Sequence, residues 1–147
     1  MTTTTQRFQL EPAAVEKLRR NFHGELIERS HPAYGEHRRL WNGSIDRYPT
    51  VITRCADTAD VCAAVRFARR LGMPLAVRSG GHSFPGLSVC DDGIVVDLHM
   101  MCEIHVDPEH STARRRTVSY WASWTRRRRS TGWRCRPESC RTPELPA

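Results

Sequence analysis

The chain has 147 residues, a formal charge of +7 and a 39% share of apolar residues, enough for one modest domain or part of one. No run approaches the ~18–20 apolar residues of a membrane span, and the polar start Met1-Thr2-Thr3-Thr4-Thr5-Gln6-Arg7 has no signal-peptide core, so a cytoplasmic location is expected. The six cysteines (Cys55, Cys62, Cys90, Cys102, Cys135, Cys140) form no CxxC pair, which points to free thiols and no metal site.

In chain order, Glu11 to Phe22 reads as a helix, with Pro12 at its first turn and Val15, Leu18 and Phe22 on one face; His23-Gly24 stops it. Residues 30–49 are polar and turn-rich, with Pro32, Gly35, Trp41-Asn42-Gly43 and Pro49. Thr50–Arg54 reads as a short strand. Asp57 then caps a helix with a stripe of Val61, Ala64, Val65, Ala68 and Leu71, ended by Gly72 and Pro74. A strand at 75–78 leads into Arg78-Ser79-Gly80-Gly81-His82-Ser83-Phe84-Pro85-Gly86, and a strand at 93–98 follows. A strand pair is expected at 102–106 and 111–113, joined by Asp107-Pro108-Glu109-His110. The order predicts an α+β fold without repeats.

The loop between the strands carries the chemistry. Two adjacent glycines remove Cβ obstruction, so backbone N–H groups can surround an anionic group such as a pyrophosphate. A neutral imidazole at His82 adds a nucleophilic nitrogen. The loop is not a Rossmann fingerprint, since a strand follows it instead of a helix, and it lacks the Gly-Lys-Ser/Thr of a P-loop. The remaining histidines, His23, His31, His37, His99, His105 and His110, fit no motif and read as surface residues.

The strand ending at Arg54-Cys55, the Asp57-capped helix, GMPLAVRSGGHSFPGLSV and DDGIVVDLHMM occur together in one order over about residues 35–113. This closely resembles the N-terminal part of the FAD-linked oxidases with a PCMH-type FAD-binding domain, the family of p-cresol methylhydroxylase, vanillyl-alcohol oxidase and the berberine-bridge-like oxidases. The resemblance implies an incomplete FAD-binding subdomain whose cofactor is FAD. It implies that Arg78, Ser79, Gly80, Gly81 and Ser83 line the phosphates and that Gly86 permits close approach. It also implies that His82 carries the flavin covalently in the intact parent. Asp97 falls at a strand end and reads as structural. The resemblance identifies no catalytic residue. A small-molecule substrate belongs to the intact parent, which would remove a hydride from an alcohol, sugar or related carbon centre.

Composition breaks near residue 113. Residues 1–113 hold 13 Lys+Arg against 14 Asp+Glu, whereas 114–147 hold 10 Arg against 2 Glu together with Trp121, Trp124 and Trp133. The sequence therefore divides into a helical lead-in at 1–34, a partial FAD-binding domain at 35–113 and an Arg-rich tail at 114–147. One reading of the tail is a nucleic-acid-binding segment, with arginines on phosphates and tryptophans on bases. The other, preferred here, is translation out of frame. Back-translating Val118 to Ala147 with permissible codons and shifting the register gives an amphipathic helix and a glycine-bearing loop, as the family would continue. On that reading the tail is unstructured, the chain is inactive, and no nucleic-acid or membrane partner is expected.

Overall fold

The computed structural model describes residues 10–107, 109–110 and 112–115. The elements, in order, are α1 (Pro12–Arg19), β1 (Glu25–Glu28), α2 (Tyr34–His37), β2 (Val51–Arg54), α3 (Thr58–Leu71), β3 (Leu75–Arg78), β4 (Ile94–Asp97), β5 (Ile104–Asp107) and β6 (Thr112–Arg115). This is the expected α+β arrangement. β2, β4 and β3 run parallel in a sheet of order β1-β2-β4-β3, and β1 closes one edge antiparallel to β2. β5 and β6 form a separate antiparallel hairpin, with Asp107 accepting from the Glu109 and His110 N–H groups in its turn.

Both faces of the sheet are covered, which is why Ile94, Val95, Val96 and Asp97 are all buried. Val15 and Leu18 of α1 and Ala64, Phe67 and Ala68 of α3 pack on Leu26, Val51, Ile94 and Val96. On the opposite face Tyr34, Leu40 and Val89 close over Ile27, Ile52, Ala76 and Val95. Among the described residues no helix is long and apolar enough to cross a membrane.

The boundaries of α3 follow from local chemistry. The Asp57 side chain accepts from the Asp60 N–H at 3.0 Å, and Gly72 ends the helix in the left-handed region at φ 63°. α1 begins at Pro12 as expected but stops at Arg19, short of Phe22. The reason lies in the long-range partner of the segment that follows. Asp60, fully buried, accepts from the N–H groups of His23 at 2.8 Å and of Gly24 and Ala56 at 2.9 Å. Gly24 is required there by close approach, because a Cβ would lie 1.9 Å from the Arg54 carbonyl oxygen.

The Asp60 carboxylate thus joins the α1–β1 turn to the start of α3. Asp60→Ala leaves three backbone donors without their acceptor, and the expected loss is at least ~3 kcal/mol, since each buried donor left unmade costs ~1–3 kcal/mol. Denaturant unfolding followed by circular dichroism measures it; a loss below about 1 kcal/mol would contradict this account of Asp60.

Beside it, His23 Nδ1 lies 2.7 Å from Asp57 Oδ2. That hydrogen bond and the charge of Asp57 raise the His23 pKa above 6.5. The Asp57 carboxyl is held below 3.8, first by the Asp60 N–H and then by His23. The signs set the pH window. The His23 contribution is fully present below pH 6.5 and is lost as pH rises through the raised folded value. The Asp57 contribution is present above 3.8 and is lost as pH falls through the depressed value. His23→Gln should therefore flatten the decline in stability on the alkaline side of pH 6.5 and leave the acid limb largely in place, as measured by thermal melts across pH.

Candidate functional site

In register, Arg54, Asp97 and Arg78 occupy the last positions of the three parallel strands. Loops leaving the carboxyl ends of parallel strands form the usual ligand crevice of such sheets. Here that crevice is a cleft of about 360 Å³ lined by Glu36, His37, Arg39, Trp41, Arg54, Arg78, Ser79, Gly80, Gly81, Asp97 and His99.

Of the residues the sequence points to, Arg78, Ser79, Gly80 and Gly81 lie on this cleft, whereas His82, Ser83 and Gly86 are not part of its lining. Arg78 is oriented inward. Its side chain is 7% exposed, its Nη2 lies 2.5 Å from Asp97 Oδ2, and its Nη1 donates to the His37 carbonyl oxygen. Asp97 also accepts from the His99 N–H at 2.9 Å. In the described structure the Arg78 guanidinium is thus a tie between β3, β4 and the end of α2.

Gly81 has φ 70° and Gly86 φ 75°, a region that favours glycine. At Gly86 a Cβ would also meet the Ile45 side chain at 2.8 Å. Ser83 shapes the turn, its carbonyl accepting from the Gly86 N–H at 3.1 Å and its hydroxyl from the Leu87 N–H at 3.0 Å. His82 is exposed and has no hydrogen-bond partner among the described residues.

Whether the loop suits a diphosphate depends on its backbone donors. The N–H groups of Gly80, Gly81, His82 and Ser83 meet no acceptor among the described residues. Consecutive unclaimed N–H groups in a glycine loop are the donor set an anion requires. Residues and group fit.

The charge around the cleft is unevenly committed. Arg54 Nη1 pairs with Glu25 Oε2 at 2.7 Å, while its buried Nε has no partner among the described residues. The Arg39 guanidinium pairs with no carboxylate among the described residues. His37 lies half-buried on the cleft, and burial first, then Arg54 and Arg78, hold its pKa below 6.5, so its imidazole is neutral at pH 7.

Sequence reasoning read His37 as a surface residue and residues 30–49 as polar and turn-rich, whereas His37 is half-buried on the cleft; His99 is exposed, as expected, and also lines the cleft. The structure puts the segment 37–45 alongside the glycine loop over the length of the loop. The Trp41 N–H donates to the Gly81 carbonyl at 3.3 Å, Asn42 Nδ2 donates to the Phe84 carbonyl at 2.9 Å, and Ile45 underlies Gly86. The only local hint was Trp41-Asn42-Gly43, read as a turn.

Comparison with known proteins decides the family. Residues 49–140 match the family described as FAD binding domain. The chain belongs to that family, the FAD-binding domain of the FAD-linked oxidases, and FAD is its cofactor. The match runs past residue 113, where the residue-by-residue resemblance ends. Among curated relatives, (R)-6-hydroxynicotine oxidase of Paenarthrobacter nicotinovorans is 38% identical over 91 residues, which is 62% of this chain and 20% of that protein. Among solved structures, 6-hydroxy-D-nicotine oxidase from Arthrobacter nicotinovorans superposes with a TM-score of 0.62 at 37% identity, over 64% of this chain and 21% of that one. Xylooligosaccharide oxidase from Myceliophthora thermophila gives 0.61 at 27% identity, over 69% and 22%. The chain thus spans about a fifth of the length of these relatives.

Proposed function

We propose that this chain is the phosphate-cradling portion of an FAD-dependent oxidoreductase, and that it has no oxidase activity by itself. The row of unclaimed N–H groups from Gly80 to Ser83, beside a cleft at the ends of three parallel strands, carries the reading. The Ser79–Ser83 backbone holds the diphosphate. Arg39 supplies the cation that faces it, and Arg78 acts from behind by fixing the loop. Gly81 and Gly86 keep the loop in a conformation side chains disfavour. His82 is the attachment point for the flavin in the intact parent.

When bound, FAD supplies hydride acceptance from an alcohol, sugar or related carbon centre, and protein residues contribute binding, orientation and electrostatics. Within this chain those contributions are the diphosphate cradle and, at His82, the point of flavin attachment. A few backbone hydrogen bonds at ~0.5–1.5 kcal/mol each, or ~1.5–3 with a charged partner, do not hold a large cofactor durably. Residues 114–147 are proposed to be read out of frame, and their charge jump is the motive. DNA sequence across codons 110–150 with no alternative frame open beyond 147 would remove that proposal.

The test of function uses the purified chain. ADP, which carries the diphosphate without the flavin, should shift the Ser79–Ser83 amide resonances, while gel filtration with FAD should leave far less than one flavin per chain. Shifts confined to other surfaces would sink the cradle reading; stoichiometric yellow protein would sink the claim of incompleteness. Salt-sensitive DNA binding lost on deletion of 114–147 would instead favour the nucleic-acid reading of the tail.

A further inference from the structure

The stretch from the end of α2 toward β2 has no periodic apolar pattern, yet it touches the glycine loop along its length. His37 meets Arg78, Trp41 meets Gly81, Asn42 meets Phe84, and Ile45 lies beneath Gly86. Three of these contacts are of limited use for control. Those of His37 and Trp41 use main-chain atoms of the segment, and that of Ile45 is apolar packing. Of the four contacts named, that of Asn42 alone ties the loop through a side-chain polar group of the segment.

The Asn42 amide is fully oriented. Its Oδ1 accepts from the Ser44 N–H at 3.2 Å and the Ser44 hydroxyl at 2.7 Å, so its Nδ2 is turned toward the Phe84 carbonyl at 2.9 Å. A side-chain amide held by its oxygen and donating from its nitrogen fixes both direction and distance. Phe84 follows directly on the stretch whose N–H groups are unclaimed. Its own side chain is 74% exposed, so packing does not hold this part of the loop.

We propose that Asn42 is a positioning residue. It holds the glycine loop with its N–H groups gathered for the cofactor diphosphate, and so governs affinity without touching the ligand. The proposal rests on the cofactor reading above. Asn42 is half-buried, and its named contacts are to Ser44 and the Phe84 carbonyl alone, so its substitution should leave the central sheet in place.

The experiment compares Asn42→Asp, Asn42→Ala and Ser44→Ala in the 147-residue chain. Asn42→Asp keeps an oxygen for both Ser44 contacts but replaces the donor to Phe84 by a charged oxygen that repels its carbonyl. Asn42→Ala loses the same donor without adding a charge. Amide hydrogen exchange is read at Trp41, Gly86 and Leu87, whose N–H groups report loop closure, and at Val95 and Val96 in the central strand. ADP affinity is measured alongside.

Both Asn42 variants should speed exchange at the loop reporters about fivefold, the change one net hydrogen bond produces, and weaken ADP by a similar factor. Exchange in the central strand should not change, and Ser44→Ala should have a smaller effect than either. Unchanged loop exchange overturns the proposal. So does a loosened loop with undiminished ADP affinity, and so does faster exchange spread evenly through the sheet, which would make Asn42 merely structural. Failure of the wild-type chain to bind ADP is a different result: it overturns the cofactor reading and, with it, the role assigned to Asn42.

Discussion

Arg78→Ala should destabilise the ligand-free chain by about 3–5 kcal/mol, the usual consequence of removing one partner from a buried ion pair. The Asp97 side chain is only 4% exposed, so its carboxylate would lose its ion-pair partner with little water to replace it. The His37 carbonyl would lose a donor in the same step. For a domain of this size each kcal/mol moves the melting temperature by roughly 4–8 °C, so the effect is large in a thermal melt. Arg78→Met combined with Asp97→Leu should recover part of the loss, because an apolar pair of similar volume carries no desolvation cost. Recovery should be incomplete, since the N–H of His99 and the carbonyl of His37 still lose their partners. If Arg78 served only to contact phosphates, the melting temperature without ligand would not move. That outcome would return Arg78 to the role its place in the motif implies.

Arg78 also shows where sequence stops being informative. Its position in the glycine loop is local and legible. The direction of its guanidinium is set by Asp97, 19 residues away and opposite it in the β3–β4 register. Nothing near either residue in sequence announces that pairing. The same contrast runs through the fold. The ends of α3 were legible because Asp57 and Gly72 act on their own helix. β3 was legible because an apolar run meets a glycine loop. β1 was not, because Glu25 and Glu28 leave only Leu26 and Ile27 between them, buried on opposite faces of a sheet covered on both sides. It lies within the expected helical lead-in, yet pairs directly with β2.

α2 escaped for another reason. It is four residues long and buries one side chain, Tyr34, whose hydroxyl donates to the Pro49 carbonyl at 2.6 Å. The α3 stripe was identified, but its largest buried member, Phe67, was not among the residues assigned to it. At the site, the glycines and histidine were visible as a motif, whereas Arg39, His37 and Asn42 were hidden in a segment that supports the loop mainly through its backbone. Arg114 and Arg115, the first two residues of the expected unstructured tail, pair in β6, which corrects that boundary; residues 116–147 and the first nine lie outside the described residues, and the expectation of an unstructured tail is carried forward for 116–147 as a proposal.

His82 should be the sole covalent link to the flavin in a frame-restored, full-length protein. The residue is exposed in the loop, beside the N–H groups proposed to hold the diphosphate. No partner among the described residues constrains its imidazole, so it is available as a nucleophile. On the proposal that the tail is read out of frame, the back-translated continuation of residues 118–147 carries histidine-threonine-glycine and no cysteine, so no second attachment point is expected. His82→Ala should therefore release essentially all flavin on acid precipitation, whereas the wild type keeps its flavin in the pellet. The melting temperature should hardly change, because an exposed side chain without partners contributes little to folding. Gly81→Val is expected to behave differently. At φ 70° a β-branched residue is strained, so the loop must leave its cradle conformation and total flavin occupancy falls, bound and released alike. The two variants thus separate attachment from cradling. If the restored wild type gives up all its flavin in acid, His82 is a noncovalent contact; if Gly81→Val retains full occupancy, the glycine loop is not what holds the diphosphate.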